Sequence, residues 1–214
     1  MIRAVVFDLD GVILQTEEVW DEVRGRYVVD QGGRYDEAAQ RAMMGMSAPE
    51  WSRYLAGELG VSGTPEQIST DVVCLMEARY REHLPLIPGA VEAVERLAGR
   101  YVLGLASSSN RPLIDAALSL SGLERFFAAT VSSEEVPRGK PAPDVYLETA
   151  RRLGVKAVEC AAVEDSHSGI GSAAAAGMRV IAIPNPSFPP DPEALDQADV
   201  VLDSIAELTP EVVG

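Results

Sequence analysis

Basic residues are scarce in this chain of 214 residues, and lysine is almost missing: of 18 basic side chains only Lys140 and Lys156 are lysine, against 33 acidic ones. Any chemistry that needs an amine therefore has two candidates. The formal charge of −15 leaves no basic stripe for nucleic acid and no basic amphipathic helix for a membrane surface, so neither is expected as a partner. Two cysteines, Cys74 and Cys160, are too few for a disulfide framework, and two histidines cannot make a zinc site of the usual spacing. A reducing, cytoplasmic setting fits that usage. No apolar run approaches the roughly 20 residues of a spanning helix. Residues 1–7 lead into an acidic cluster without a cleavage site, so no targeting segment is expected.

What is present suits a globular fold with a buried core, since 47% of the residues are hydrophobic. Residues 2–7 form a continuous apolar run rich in β-branched side chains that ends in Asp8-Leu9-Asp10-Gly11, the pattern of a buried strand meeting a functional loop. Similar runs at 101–106, 128–131, 160–163, 179–183 and 199–202 alternate with helical patterns at 89–99, 112–121, 143–153 and 168–176. That alternation predicts an α/β fold, a Rossmann-like parallel sheet covered on both faces.

Residues 15–86 break the alternation. They carry amphipathic stretches at 17–29, 36–43, 49–58 and 65–83 and no convincing strand, so an α-helical insert is expected there, with residues 1–14 and 87–214 forming the core. Pro85-Leu86-Ile87-Pro88-Gly89 stops a helix and lets the chain re-enter the sheet. The insert holds thirteen acids and seven bases and no lysine. Cys74 is expected in its core, and Cys160 in a strand, inert.

Asp8 and Asp10 sit two apart at a strand end, where side chains point the same way about 6 to 7 Å apart. Alone, Asp-x-Asp-Gly is as readily a turn as a site. Three further polar clusters follow strands of the same sheet: Ser107-Ser108-Ser109-Asn110, Gly139-Lys140-Pro141 and Glu164-Asp165-Ser166. All converge on one edge, where open α/β sheets bind ligands. Asp8, Glu164 and Asp165 offer hard oxygen ligands suited to Mg²⁺. Hydroxyls, helix-start amides and a lysine ammonium are what a phosphoryl group needs. Carboxylates so crowded repel one another unless a cation is bound.

In order and spacing, Phe7-Asp8-Leu9-Asp10-Gly11-Val12-Ile13, Ala106-Ser107-Ser108, Gly139-Lys140-Pro141-Ala142-Pro143-Asp144 and Val163-Glu164-Asp165-Ser166 resemble the four motifs of the haloacid dehalogenase superfamily. The insert resembles the C1 cap of the branch holding sugar-phosphate phosphatases and β-phosphoglucomutase. The resemblance implies Asp8 as a nucleophile forming an aspartyl-phosphate, and Asp10 as general acid and base whose carbonyl also holds Mg²⁺. It implies Ser107 and Ser108 on the phosphoryl oxygens and Lys140 neutralising charge. Asp165 would hold the metal directly, and Glu164 directly or through water.

Single residues separate the family's reactions. Dehalogenases lack the second aspartate, which Asp10 supplies here. Phosphonatases need a cap lysine, and this cap has none. A mutase resembling β-phosphoglucomutase is the enzymatic rival, since Thr16 and the Gly45-x-Ser47 turn resemble its cap. Trp20 and Ala48, however, stand where that cap carries a histidine and an arginine. Thr16-Glu17-Glu18-Val19-Trp20 resembles the Glu-x-x-Trp of sugar-phosphate phosphatases; the two cap resemblances together imply Thr16, Trp20, Gly45 and Ser47 as substrate contacts. The expectation is a Mg²⁺-dependent phosphatase of a small sugar or polyol phosphate, a monomer or small homo-oligomer. A phosphate-sensing binding protein is the rival from another class.

Overall fold

The computed structural model describes residues 1–43, 46–186 and 189–214. The strands are β1 (Ala4–Phe7), β2 (Val102–Ser107), β3 (Phe127–Ser132), β4 (Cys160–Glu164), β5 (Arg179–Ala182) and β6 (Val200–Val201). They form one parallel sheet in the order β3-β2-β1-β4-β5-β6. Before β2 come α1 (Glu17–Asp30), α2 (Glu37–Met43), α3 (Ala48–Gly57), α4 (Pro65–Glu82) and α5 (Ala90–Ala98). The later helices are α6 (Arg111–Ser121), α7 (Asp144–Leu153), α8 (His167–Ala175), and the single turns α9 (Pro192–Leu195) and α10 (Pro210–Val213). No helix among the described residues is long and apolar enough to cross a membrane.

The two-residue period of a strand builds the layers. Val5 and Phe7 of β1, with Ala161 and Val163 of β4, face a cluster that holds Ala93, Val94 and Leu97 of α5 and Leu113, Ile114 and Ala117 of α6. Ala4 and Val6, with Cys160 and Ala162, face the opposite cluster, with Val145, Tyr146 and Ala150 of α7 and Ile170 and Ala173 of α8. Both faces are covered, which explains why the strands read as unbroken apolar runs. The strand order reverses between β1 and β4, and the crevice beyond their C-terminal ends is the ligand position of such sheets.

Between β1 and α5 the chain is helical. Its entry and exit are tied together: Gln15 N donates to Pro85 O at 2.8 Å and Ile87 N to Ile13 O at 2.9 Å, with Leu14 and Leu86 paired as an antiparallel bridge. In α4 the buried stripe is Ile68, Val72, Met76 and Tyr80, four residues apart. Cys74 lies two residues off that stripe and is exposed, which corrects the expectation that it packs in the helical core. Cys160 is buried as expected, and burial pushes its thiol up to about 11. The turns α9 and α10, each opened by a proline, are too short for periodicity to announce.

Leu105, fully buried on β2, and Leu120, 48% exposed on α6, give a paired test of this layering. Leu105→Ala is expected to cost about 2–5 kcal/mol in urea unfolding and Leu120→Ala less than about 0.5. Equal costs at the two positions would contradict the assignment of faces.

Candidate active site

The loop after β1 is pinned by its own backbone. Asp8 N donates to Val163 O at 3.0 Å, extending the β1–β4 ladder by one residue, and Leu9 O accepts from Ile13 N and Leu14 N at 2.9 Å each. Gly11 turns the chain at a φ of 81°, and a Cβ there would stand 1.9 Å from Asp165 Oδ2. Only glycine lets β1's loop close against the loop after β4.

Within this turn the Asp10 carboxylate is held by hydroxyls. Thr16 Oγ1 donates to Oδ1 at 2.6 Å and Ser109 Oγ to Oδ2 at 2.7 Å, while Ser107 Oγ lies 3.5 Å from Oδ2. Thr16, expected at the substrate, is instead fully buried and spends its hydroxyl on Asp10. Ser107 is also fully buried and accepts from Ser109 N at 3.0 Å, so Ser108 and Ser109 are the serines of this run that line the cleft.

Lys140, its side chain 3% exposed, lies between two carboxylates. Its Nζ donates to Glu164 Oε1 at 2.6 Å and stands 2.9 Å from Asp8 Oδ1. The ammonium is thus the partner of Asp8 Oδ1 as well as of Glu164. Glu164 is fully enclosed: Tyr146 Oη also donates to Oε1 at 2.6 Å, and Asp165 N and Ser166 Oγ donate to Oε2 at 3.1 and 3.2 Å. A Cβ on Gly169 would lie 2.0 Å from this carboxylate, so α8 approaches it as closely as a backbone can.

Asp8, Glu164 and Asp165 each place a carboxylate oxygen so that all three lie within 4.8 Å of one another. Burial, then Glu164 and Asp10, push the Asp8 carboxyl up to about 8 against the pull of Lys140. Burial, then Glu164 and Asp8, push Asp165 well above the carboxylate range. Burial opposes the charge on Lys140, but Asp8 and Glu164 outweigh it and hold the ammonium above the ordinary lysine range. One ammonium among three packed carboxylates leaves negative charge uncompensated. The all-oxygen donor set of Asp8, Glu164 and Asp165 fits a hard divalent cation such as Mg²⁺. Asp8 and Asp165 have oxygens free for it, whereas those of Glu164 are already engaged.

A cleft of about 110 Å³ opens above these groups, lined by Asp8, Asp10, Lys140 and Asp165 below and by Glu17, Trp20, Arg24 and Trp51 from the helices. The Trp20 and Trp51 rings are 5.9 Å apart, Trp51 buried and Trp20 half-buried. Met43 and Met46 complete the wall. Ser47 is outside the cleft lining and caps α3, its backbone N and Oγ both donating to Glu50 Oε2, at 2.7 and 2.6 Å. Gly45, the other expected contact of that turn, and Met44 lie outside the described residues. A larger cavity of about 520 Å³ beyond Asn110, against Pro49, Arg53 and Glu134, gathers none of the motif residues.

Sequence reasoning passed over Ser109, Tyr146 and Arg24. Ser109 lay inside a serine run already noticed, and Arg24 falls one helical turn after Trp20, a spacing that puts both on one face. Nothing in the sequence marks Tyr146, whose role depends on α7 crossing beneath Lys140, with Nζ 5.2 Å from the ring centroid.

A doubly wound parallel sheet with an acidic, lysine-bridged cluster at its switch point and helices over the cleft defines a hydrolase-type α/β site. The chain matches the haloacid dehalogenase-like hydrolases over residues 2–177 and belongs to that family. It is 33% identical over 214 residues to hexitol phosphatase B of Escherichia coli K12, covering 97% of this chain and 95% of that protein. It is 29% identical over 212 residues to a bifunctional riboflavin kinase/FMN phosphatase of Arabidopsis thaliana, and spans 55% of that longer protein's length. Among solved structures, CbbY from Rhodobacter sphaeroides in complex with xylulose-1,5-bisphosphate superposes with a TM-score of 0.86 at 25% identity, covering 100% of this chain and 99% of that one.

Asp8 has an ordinary value of 3.8, raised to about 8 in the fold. The folded state therefore holds protons that the unfolded chain has released, and the cation-free protein should lose stability as pH rises through that window. A divalent cation displaces those protons. Near pH 7, Mg²⁺ binding is expected to release about one proton, read as a binding heat that varies with the buffer's ionisation enthalpy. Mg²⁺ should raise the melting temperature more near pH 8 than near pH 5.5. Buffer-independent heats would contradict a cation on Asp8 and Asp165.

Proposed function

We propose that this family member is a Mg²⁺-dependent phosphomonoesterase acting on a small phosphorylated metabolite, of the sugar or polyol phosphate class. The observation that carries the reading is the pairing of Asp8, held 2.9 Å from a buried ammonium, with a second carboxylate, Asp10, fixed by hydroxyls two residues on. One group is set up to attack and the other to manage protons.

Asp8 attacks phosphorus, the bond from phosphorus to the leaving oxygen breaks, and Asp10 gives that oxygen its proton. Asp10 then takes a proton from a water that attacks the aspartyl-phosphate, inorganic phosphate leaves, and the Asp8 carboxylate is restored. Lys140 Nζ offsets charge on Asp8 and on the transferred group, while the Ser108 hydroxyl and the amides opening α6 donate to its oxygens, with buried Ser107 holding the loop. Asp8 and Asp165, with the Asp10 carbonyl, would hold the cation, which would supply positive charge to neutralise the gathered carboxylates and the phosphoryl group. Glu164 supports it indirectly by fixing Lys140 and the Asp165 loop.

The helices of residues 15–86 act as a cap over this centre. The paired connections at Gln15–Pro85 and Ile13–Ile87 are the natural hinge, and closure excludes bulk water during transfer. Trp20 and Trp51 present an aromatic wall to the carbon skeleton of the substrate. The relatives support this reading, hexitol phosphatase B by its name.

Asp8→Asn is expected to lower phosphate release from phosphomonoesters by at least about a thousandfold with the melting temperature kept or raised. Asp10→Asn should fall by about a hundredfold or more. Retained turnover in Asp8→Asn would overturn the nucleophile. A rearranged sugar phosphate formed only with added bisphosphate would make the protein a mutase instead.

A further inference from the structure

Arg24 is 6% exposed, lines the cleft, and lies on α1 one turn beyond Trp20. Its guanidinium carbon sits 5.3 Å from the centre of the Trp20 ring and its Nε donates to Trp20 O at 3.2 Å. Ring and carbonyl orient the group but do not neutralise it. No carboxylate among the described residues forms an ion pair with it, although Glu17 and Asp21 are near enough to favour its charge, and Asp21 is instead taken up by Tyr35 Oη at 2.7 Å. Burial alone pulls its charge the other way. A buried cation without a paired carboxylate is costly, and that cost falls when an anion docks beside it.

Its place along α1 says where that anion lies. Glu17, Trp20 and Arg24 follow one helix face; seven residues at 1.5 Å each set the Arg24 backbone about 10 Å along the axis from Glu17, and its side chain folds back one turn to rest over Trp20. Glu17 is the member near the chemistry, since Asp10 is, after burial, the main charge acting on it. The face thus runs from the phosphoryl centre to an aromatic ring with a guanidinium resting over it.

Resting on the phosphatase reading for the identity of the near end, the geometry points to Arg24 as a specificity-determining residue that binds a second anionic group at the far end of the substrate. A guanidinium takes carboxylate or phosphate oxygens in the same two-pronged way, so the shared chemistry is a planar or tetrahedral oxyanion. The substrate class narrows to phosphorylated sugar acids or sugar bisphosphates, with a carbon chain spanning the aromatic wall.

The test compares ligands of equal length that differ only at the far end: gluconate 6-phosphate against glucitol 6-phosphate for a carboxylate, and fructose 1,6-bisphosphate against fructose 1-phosphate for a second phosphate. Binding is measured calorimetrically with Mg²⁺ in the Asp8→Asn protein, so it does not depend on turnover. At least one doubly anionic ligand is expected to bind roughly tenfold or more tightly than its neutral-ended partner. Adding Arg24→Gln should bring the two to within about twofold, and Arg24→Lys should keep part of the preference. Equal affinities with Arg24 present, or a preference that survives Arg24→Gln in a protein of unchanged melting temperature, would overturn the assignment. Failure of the phosphatase reading shows separately, as no phosphate released by the unmutated enzyme from any of the four compounds.

Discussion

A lysine ammonium removed from water between two carboxylates is the constraint around which the rest of this structure is arranged. Lys140 contacts Asp8 and Glu164, the first beyond the end of β1 and the second at the end of β4, so one side chain ties together the two strands that flank the switch point. Removing Glu164 would leave the buried ammonium without the hydrogen-bonded member of its pair, and such losses are expensive. The surroundings are built to prevent it: Tyr146 from below, Asp165 N and Ser166 from the side, and Gly169 stripped of a side chain to let α8 come close.

The same arrangement reconciles an acidic protein with an anionic substrate. The chain carries −15 overall, and four acids stand around the cleft floor, which by themselves would repel a phosphate. Lys140 offsets part of that charge, a divalent cation would offset more, and on the proposed reading the donors of the serine run would meet the phosphate oxygens. The helices add Arg24, the one cleft-lining cation among the described residues outside the sheet's edge. Charge is thus sorted within the cleft: acids around Lys140 at the sheet edge, and the Arg24 guanidinium over Trp20 on the helices. Net charge describes solubility, and the local order describes recognition.

Much of this was legible in the sequence because parallel sheets write themselves plainly. Four-residue runs such as Ala4-Val5-Val6-Phe7 are buried on both faces and need no polar alternation, and each is followed by its polar cluster, so the site's edge could be read from order alone. The helices of the insert followed from their 3.6-residue period. What escaped depends on side-chain direction across elements. Thr16 and Ser109 come together on Asp10 from segments 93 residues apart, and Tyr146 reaches Glu164 only because α7 passes under the β1–β4 edge. Cys74 was misplaced because two residues along a helix turn the side chain to the other face.

The central claim is that Asp8, held beside Lys140, becomes covalently phosphorylated during turnover. It is tested most directly by mixing enzyme, Mg²⁺ and a turned-over phosphomonoester, quenching in acid within one turnover, and mapping the peptides by mass spectrometry. The account predicts a phosphoryl group on the peptide at Asp8 that forms and decays at rates matching phosphate release. Phosphate release with no phosphoryl group on that peptide at any quench time would contradict it.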